Sequence, residues 1–298
     1  MPKTNKNPIY NLTNESFFIT IALLIIVQFN SIAQSSSEIE KSTYTYAIKK
    51  SDTLKVHVFN SSDQKNNKLK PAMVIFHGGG WSVGKPSWAF GLAKRFADKG
   101  FTTFAVQYRL SNQNDISPID AMADAKESIV WIKNNAKELH INPNKILVYG
   151  WSAGSHLAAS TAIFPISDEK TGVSSVPNAL ILSSPALSLV NDNWFSQLLP
   201  SDEKVVDYSP VENLNTKIPP SIILVGADDT VTPADQARLF CEKAKSNGSI
   251  SEIHIYENVG HLFTPSDQPD NQQPNPDKKT VNKALKAIDS FLEELEFI

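Results

Sequence analysis

Cysteine is nearly absent from this chain of 298 residues, where Cys241 stands alone. A single thiol closes no internal disulfide, so the fold has to be held by its hydrophobic core. An excess of either charge is missing as well. The formal net charge is −3, which offers no basic field for nucleic acid and no strong acidic steering. Internal repeats are lacking, and no long apolar run occurs beyond the N-terminus. With 41% hydrophobic and 20% charged residues, the composition is that of a globular protein, and the length suits one large domain.

The apolar stretch at the N-terminus is short. "FFITIALLIIV", Phe17 to Val27, has 11 residues, whereas a span of the bilayer core asks for about 20. Lys3 and Lys6 precede it and the small residues Ser31 and Ala33 follow. That order describes a secretory signal over residues 1–33, cleaved after Ala33; an uncleaved membrane anchor is the alternative. The expectation is a secreted or periplasmic protein with no stable membrane association once the signal is removed. Residues 34–42 are expected to be a flexible lead-in and residues 43–298 the folded domain.

Within that domain, "STYTYAIKK" and "TLKVHVF" alternate with the period of two that strands require, and read as an antiparallel hairpin. After Pro71 the rhythm becomes strand, helix, strand. "AMVIF", "FTTFAV", "KILVYG", "ALILSS", "SIILVG" and "EIHIYE" are strand-like, and helical segments lie between them, among them a long one from Pro118 to Leu139. Near-continuous apolar strands separated by helices predict a mostly parallel sheet with helices on both faces, led by an antiparallel hairpin. Residues 185–218 lack a clean period and are expected to insert above the sheet edge. The loop 264–277, rich in Pro, Asn and Asp, is placed to rim whatever lies there.

The chemistry concentrates at three places. "GWSAG", Gly150 to Gly154, sits where "KILVYG" meets a helix. A serine boxed by glycines at a strand-to-helix turn has its hydroxyl lifted clear of the sheet, and the following helix points free N–H groups toward it. An N-cap explains one serine there but not the flanking glycines. "HGGGWSVG", His77 to Gly84, follows the strand "AMVIF". Glycines after a strand present backbone N–H groups without a Cβ in the way, so Gly79 and Gly80 are candidate oxyanion donors together with Ala153. His77 reads as a residue that organises this loop rather than as a base. A serine hydroxyl needs a base and an orienting carboxylate. Of the six histidines, His57 and His254 lie in strands, His140 ends a helix and His156 backs the nucleophile's helix. His261, after the last strand, is left as the base. "LVGADDTVTP" supplies Asp228 and Asp229 as acids, with Asp229 preferred.

From about Pro71 to Phe263 the chain resembles the α/β-hydrolase esterases of the acetyl esterase, acetylxylan esterase and hormone-sensitive-lipase-like group, through "HGGGW", "GWSAGSHLA", "IPPSIILVGADDTVTP" and "NVGHLF". The resemblance implies an α/β-hydrolase fold and a serine esterase. It places the acid at the end of the G-x-x-D segment, Asp229 counted from Gly226, and the histidine at His261. Two departures stand out. Many members carry an acidic residue where this chain has Trp151, and a second glycine where it has Ser155, which brings it nearer the carbohydrate-esterase branch. The expected activity is removal of short acyl groups, acetyl above all, from small esters or acylated carbohydrate by a Ser-His-Asp acyl-enzyme route that needs no metal or other cofactor. Trp81 and Trp151 are candidate substrate-binding aromatics, with Trp88 flanking the glycine loop and Trp194 and Phe195 in the irregular insert. A serine peptidase of the prolyl-oligopeptidase type and a non-catalytic hydrolase-fold binding protein are the rival readings.

Overall fold

A computed structural model describes residues 38–50, 52–61, 68–111, 115–269 and 273–298. The signal expected over residues 1–33 lies outside them. Eight strands form one sheet: β1 (Ile39–Lys49), β2 (Asp52–Ser61), β3 (Lys70–Phe76), β4 (Thr102–Val106), β5 (Ile141–Trp151), β6 (Ala179–Ser183), β7 (Ser221–Gly226) and β8 (Ser251–Tyr256). Their order across the sheet is β1-β2-β4-β3-β5-β6-β7-β8. β2 pairs antiparallel with both β1 and β4, and every other pairing is parallel. The sheet is therefore mostly parallel, with the antiparallel leading hairpin the alternating sequence predicts. β1 starts earlier than expected. Ile39 to Ser42, assigned to the lead-in, already pair with Ser61 to Val58, because the partner strand extends far enough to satisfy their backbone groups.

Helices cover both faces. On one side lie α1 (Phe90–Asp98) and, at the chain end, α7 (Lys278–Glu294); on the other lie α2 (Pro118–Asn134), α3 (Ala153–Ile163) and α6 (Ala234–Ser246). Between β6 and β7 the insert contains the short helices α4 (Asn193–Leu198) and α5 (Pro210–Asn213). The strand period of two divides the core: Val74 and Phe76 pack with Ile129 and Leu157, while Met73 and Ile75 pack with Phe96 and Phe291. Both sets are buried, which is why β3 reads as continuously apolar. Cys241 is buried on α6 as a small hydrophobe.

Local chemistry fixes where α2 begins and ends. Ser117 and Asp120 form a capping box, with Pro118 in the first turn, so two orphan N–H groups find acceptors. The helix stops at Asn134, five residues short of the Leu139 expected. Asn135 donates its amide to the carbonyl of Trp131 at 2.8 Å, and an asparagine that bonds local backbone competes with helix continuation.

Candidate active site

The nucleophile elbow is built from β5, α3 and two glycines. Ser152 adopts φ 54° and ψ −127°, a conformation that costs a non-glycine residue energy and persists only when its surroundings dictate it. Those surroundings are close. A Cβ at Gly150 would lie 2.1 Å from the carbonyl oxygen of Gly154, and one at Gly154 would lie 2.2 Å from that of Phe76. The Ser152 N–H donates to Ser183 on β6 at 3.0 Å. Ser155, which stands in place of a second glycine, donates its buried hydroxyl toward Gly150 O (2.6 Å) and Ser183 O (3.0 Å), tying elbow to sheet. The Ser152 hydroxyl makes no capping bond to α3; it faces His261.

His261 Nε2 lies 3.0 Å from Ser152 Oγ, and Nδ1 lies 3.0 Å from Asp229 Oδ2. Asp229 is 4% exposed. Its Oδ1 accepts from the N–H groups of Val231 (3.0 Å) and Thr232 (2.7 Å), an Asx-type turn that holds the carboxylate still. Asp228 is exposed and its carboxylate takes the Ser266 hydroxyl, so the structure brings Asp229, not Asp228, to the histidine. Two residues in this arrangement were not singled out in the sequence. The Thr232 hydroxyl touches Asp229 Oδ2 (2.9 Å), His261 Nδ1 (3.2 Å) and Ser184 O (3.0 Å). Ser184 accepts the N–H of Leu262 on its hydroxyl at 3.0 Å, so the acid loop and the histidine loop are pinned to one residue at the end of β6. Asp-x-x-Thr is a turn pattern that points to Thr232; nothing in "SS" marks Ser184.

Facing Ser152 is the glycine loop after β3. Gly79 and Gly80 have φ of +121° and +55°, and a Cβ at Gly79 would lie 2.0 Å from Val83 O. Successive carbonyls are held: Gly78 O by His77 Nδ1 (2.7 Å), Gly79 O by the N–H groups of Ser82 and Val83 (3.2 and 3.0 Å), and Gly80 O by Trp194 Nε1 (2.9 Å). All peptides among the described residues are trans, so each N–H points opposite the carbonyl of the preceding residue, and fixing the carbonyls of Gly78 and Gly79 fixes the N–H groups of Gly79 and Gly80. Burial pushes the imidazole of His77 down to about 4, leaving it a neutral donor that stacks on Tyr108 at 4.4 Å.

The aromatics divide. Trp81, expected at the substrate, is 3% exposed; its indole donates to His156 Nδ1 (3.0 Å) and packs edge-on to Phe195. Trp81 and Phe195 thus support the glycine loop from below, since a buried indole N–H requires a partner and finds it inward. His156 in turn reaches Tyr208 O with Nε2 (2.9 Å), and burial lowers its pKa to about 4. Trp151, by contrast, lines a groove of about 1150 Å³ together with Trp88, Trp194, Ser152 and His261. Gln273 and Pro274 of the 264–277 loop rim it. Among the described residues, no group of three His, Cys, Asp or Glu is placed to hold a metal, and no helix is long and apolar enough to cross a membrane.

The BD-FAE family model matches residues 58–171 and the Dienelactone hydrolase family model matches residues 207–295. A probable isoprenylcysteine alpha-carbonyl methylesterase of Arabidopsis thaliana is 28% identical over 235 residues, 67% of this chain and 49% of that one. Endo-1,4-beta-xylanase B of Butyrivibrio fibrisolvens is 25% identical over 208 residues, 65% of this chain and 33% of that one. The chain spans about half the length of the first curated relatives it matches. Among solved structures, Thermogutta terrifontis esterase 2 phosphoramylated by tabun is 31% identical with a TM-score of 0.75, covering 87% of this chain and 96% of that one. Propionate-bound and butyrate-bound forms of that esterase match as well.

Proposed function

The chain belongs to the α/β-hydrolase esterases, and from that premise we propose that it removes short acyl groups, acetyl above all, from carbohydrate hydroxyls. The observation that carries the chemistry is the relay from Ser152 Oγ through His261 to a buried Asp229. His261 Nε2 takes the Ser152 proton as Oγ attacks the ester carbonyl carbon, and the carbonyl oxygen becomes an oxyanion held by the N–H groups of Gly79, Gly80 and Ala153. Asp229 stays ionised, accepts the hydrogen bond of the Nδ1–H and stabilises the imidazolium. His261 then gives its proton to the departing alcohol. Water, deprotonated by the same nitrogen, attacks the acyl-enzyme and releases the acid and free Ser152.

The short acyl group is supported by a related esterase that binds propionate and butyrate, and carbohydrate by the match to a xylanase. Purified protein and a Ser152→Ala control on p-nitrophenyl acetate and acetylated xylan test both parts. Acetate release from both, absent in the control, is expected. Silence on both in folded protein overturns the esterase assignment, and preference for a prenylcysteine methyl ester or a peptide overturns the substrate. Export through residues 1–33 belongs to the same proposal, with a mature chain that begins at Gln34 on N-terminal sequencing as its test.

A further inference from the structure

Beside the Ser152 groove lies a second cleft of about 370 Å³. Val231, 48% exposed, lines both. Thr232, whose hydroxyl touches Asp229 and His261, forms part of the second. The two clefts thus meet at one valine, on the side of the acid loop rather than of the glycine loop. That side matters chemically. The acyl oxygen turns toward Gly79 and Gly80, whereas the leaving alcohol must lie within reach of His261, which protonates it.

The lining suits one class of alcohol. Asn191, Asn193 and Gln236 line the cleft, and none of the three makes a side-chain hydrogen bond among the described residues. An amide donates and accepts at once, as vicinal hydroxyls do, and an alkyl chain would leave such groups unsatisfied. The carboxylate of Asp192 also borders the cleft, which disfavours an anionic ligand. Asn193 is followed directly by Trp194, which lines the catalytic groove and is 47% exposed, so the amides adjoin an indole suited to the C–H face of a pyranose ring. We propose that this cleft is the alcohol-side subsite and binds a neutral sugar unit next to the one that carries the ester. The assignment rests on the esterase reading of Ser152.

Two measurements separate the two. The Ser152→Ala protein, which needs no turnover, is titrated with xylotetraose by calorimetry. Saturable binding is expected, weakened about fivefold by Gln236→Ala or Asn191→Ala for each lost hydrogen-bonding group. In the active protein, the ratio of kcat/KM on acetylated xylotetraose to that on p-nitrophenyl acetate is expected to fall by a similar factor in the same variants. Absence of binding, or binding and ratio indifferent to both substitutions, overturns the subsite while p-nitrophenyl acetate hydrolysis leaves the esterase standing. Binding that depends on Gln236 in a protein that hydrolyses neither ester supports the sugar site and overturns the esterase reading instead.

Discussion

His77 Nδ1 lies 2.7 Å from the carbonyl oxygen of Gly78, and this bond sets the direction of the Gly79 N–H on the far side of the same peptide. Phenylalanine would keep the ring stacked on Tyr108 and lose the donor. His77→Phe is therefore expected to lower kcat about tenfold, less than the 10²–10³ that follows loss of a direct oxyanion donor, with KM nearly unchanged. Steady-state kinetics on p-nitrophenyl acetate decide. A rise in KM at constant kcat would make His77 a binding residue and leave Gly79 oriented by other means.

Asp228 and Asp229 are neighbours with opposite environments, one exposed and bonded to Ser266, the other buried against His261. Asp229→Asn keeps the shape but offers His261 Nδ1 an amide, and a loss in kcat of roughly 10⁴-fold is expected from the wrong tautomer. Asp228→Asn should stay within about twofold of the parent, as surface changes usually do. Reversal of the two effects would move the acid to Asp228.

Thr232 is a positioning residue that acts through Asp229. Valine matches its shape without the hydroxyl, so Thr232→Val removes contacts to Asp229, His261 and Ser184 together. We expect kcat to fall about tenfold and stability by about 1–2 kcal/mol, the cost of an unpaired buried acceptor. Thr232→Ser restores the hydroxyl and should recover most of kcat. Failure of serine to rescue would mean that packing, not the hydrogen bonds, is what Thr232 provides.

Strain at the elbow gives a prediction that concerns stability alone. Ser152 at φ 54° and ψ −127° occupies a region that glycine enters freely. Ser152→Gly and Ser152→Ala are both expected to be inactive, but the glycine variant should melt about 2–4 °C higher, the shift that about 1 kcal/mol of relieved strain gives in a domain of this size. Equal melting temperatures would show that the elbow stores no such strain.

Much of this was legible in the sequence, for identifiable reasons. Parallel strands buried on both faces are apolar throughout, and the glycines at 79, 150 and 154 are demanded by backbone that passes too close for a Cβ. At Gly79 and Gly150 the close backbone is that of Val83 and Gly154, near in sequence, so a motif records it, whereas at Gly154 it is Phe76 on the neighbouring strand. Trp81 illustrates the opposite case. Beside "HGGG" it looks like a substrate contact, yet its partners are His156 and Phe195, 75 and 114 residues away, and only the tertiary arrangement turns the indole inward. Ser184 is illegible for the same reason: its hydroxyl and carbonyl serve Leu262 and Thr232 from distant loops. The early end of α2 depended on a side-chain bond from Asn135 that an amphipathic pattern does not encode.

The same buried histidines make the protein sensitive to acid. Burial lowers His77 and His156 to about 4, against about 6.5 for histidine in an unfolded chain. Between those values the unfolded state binds protons that the native state refuses, so stability is complete above about pH 6.5 and falls as the pH is lowered toward 4. Each histidine contributes a loss on the order of 1.4 kcal/mol per pH unit within that window. Asp124 works in the opposite sense, since burial raises its carboxyl above the ordinary value, but it is present in every variant and cancels in a difference. Urea unfolding of the parent and of His77→Phe at pH 7.5 and 4.5 isolates one histidine. The parent is expected to lose about 2–3 kcal/mol more than the variant between those two values. Parallel losses would mean that His77 takes up its proton in the folded state, as an imidazolium whose Nδ1–H still donates to Gly78 O.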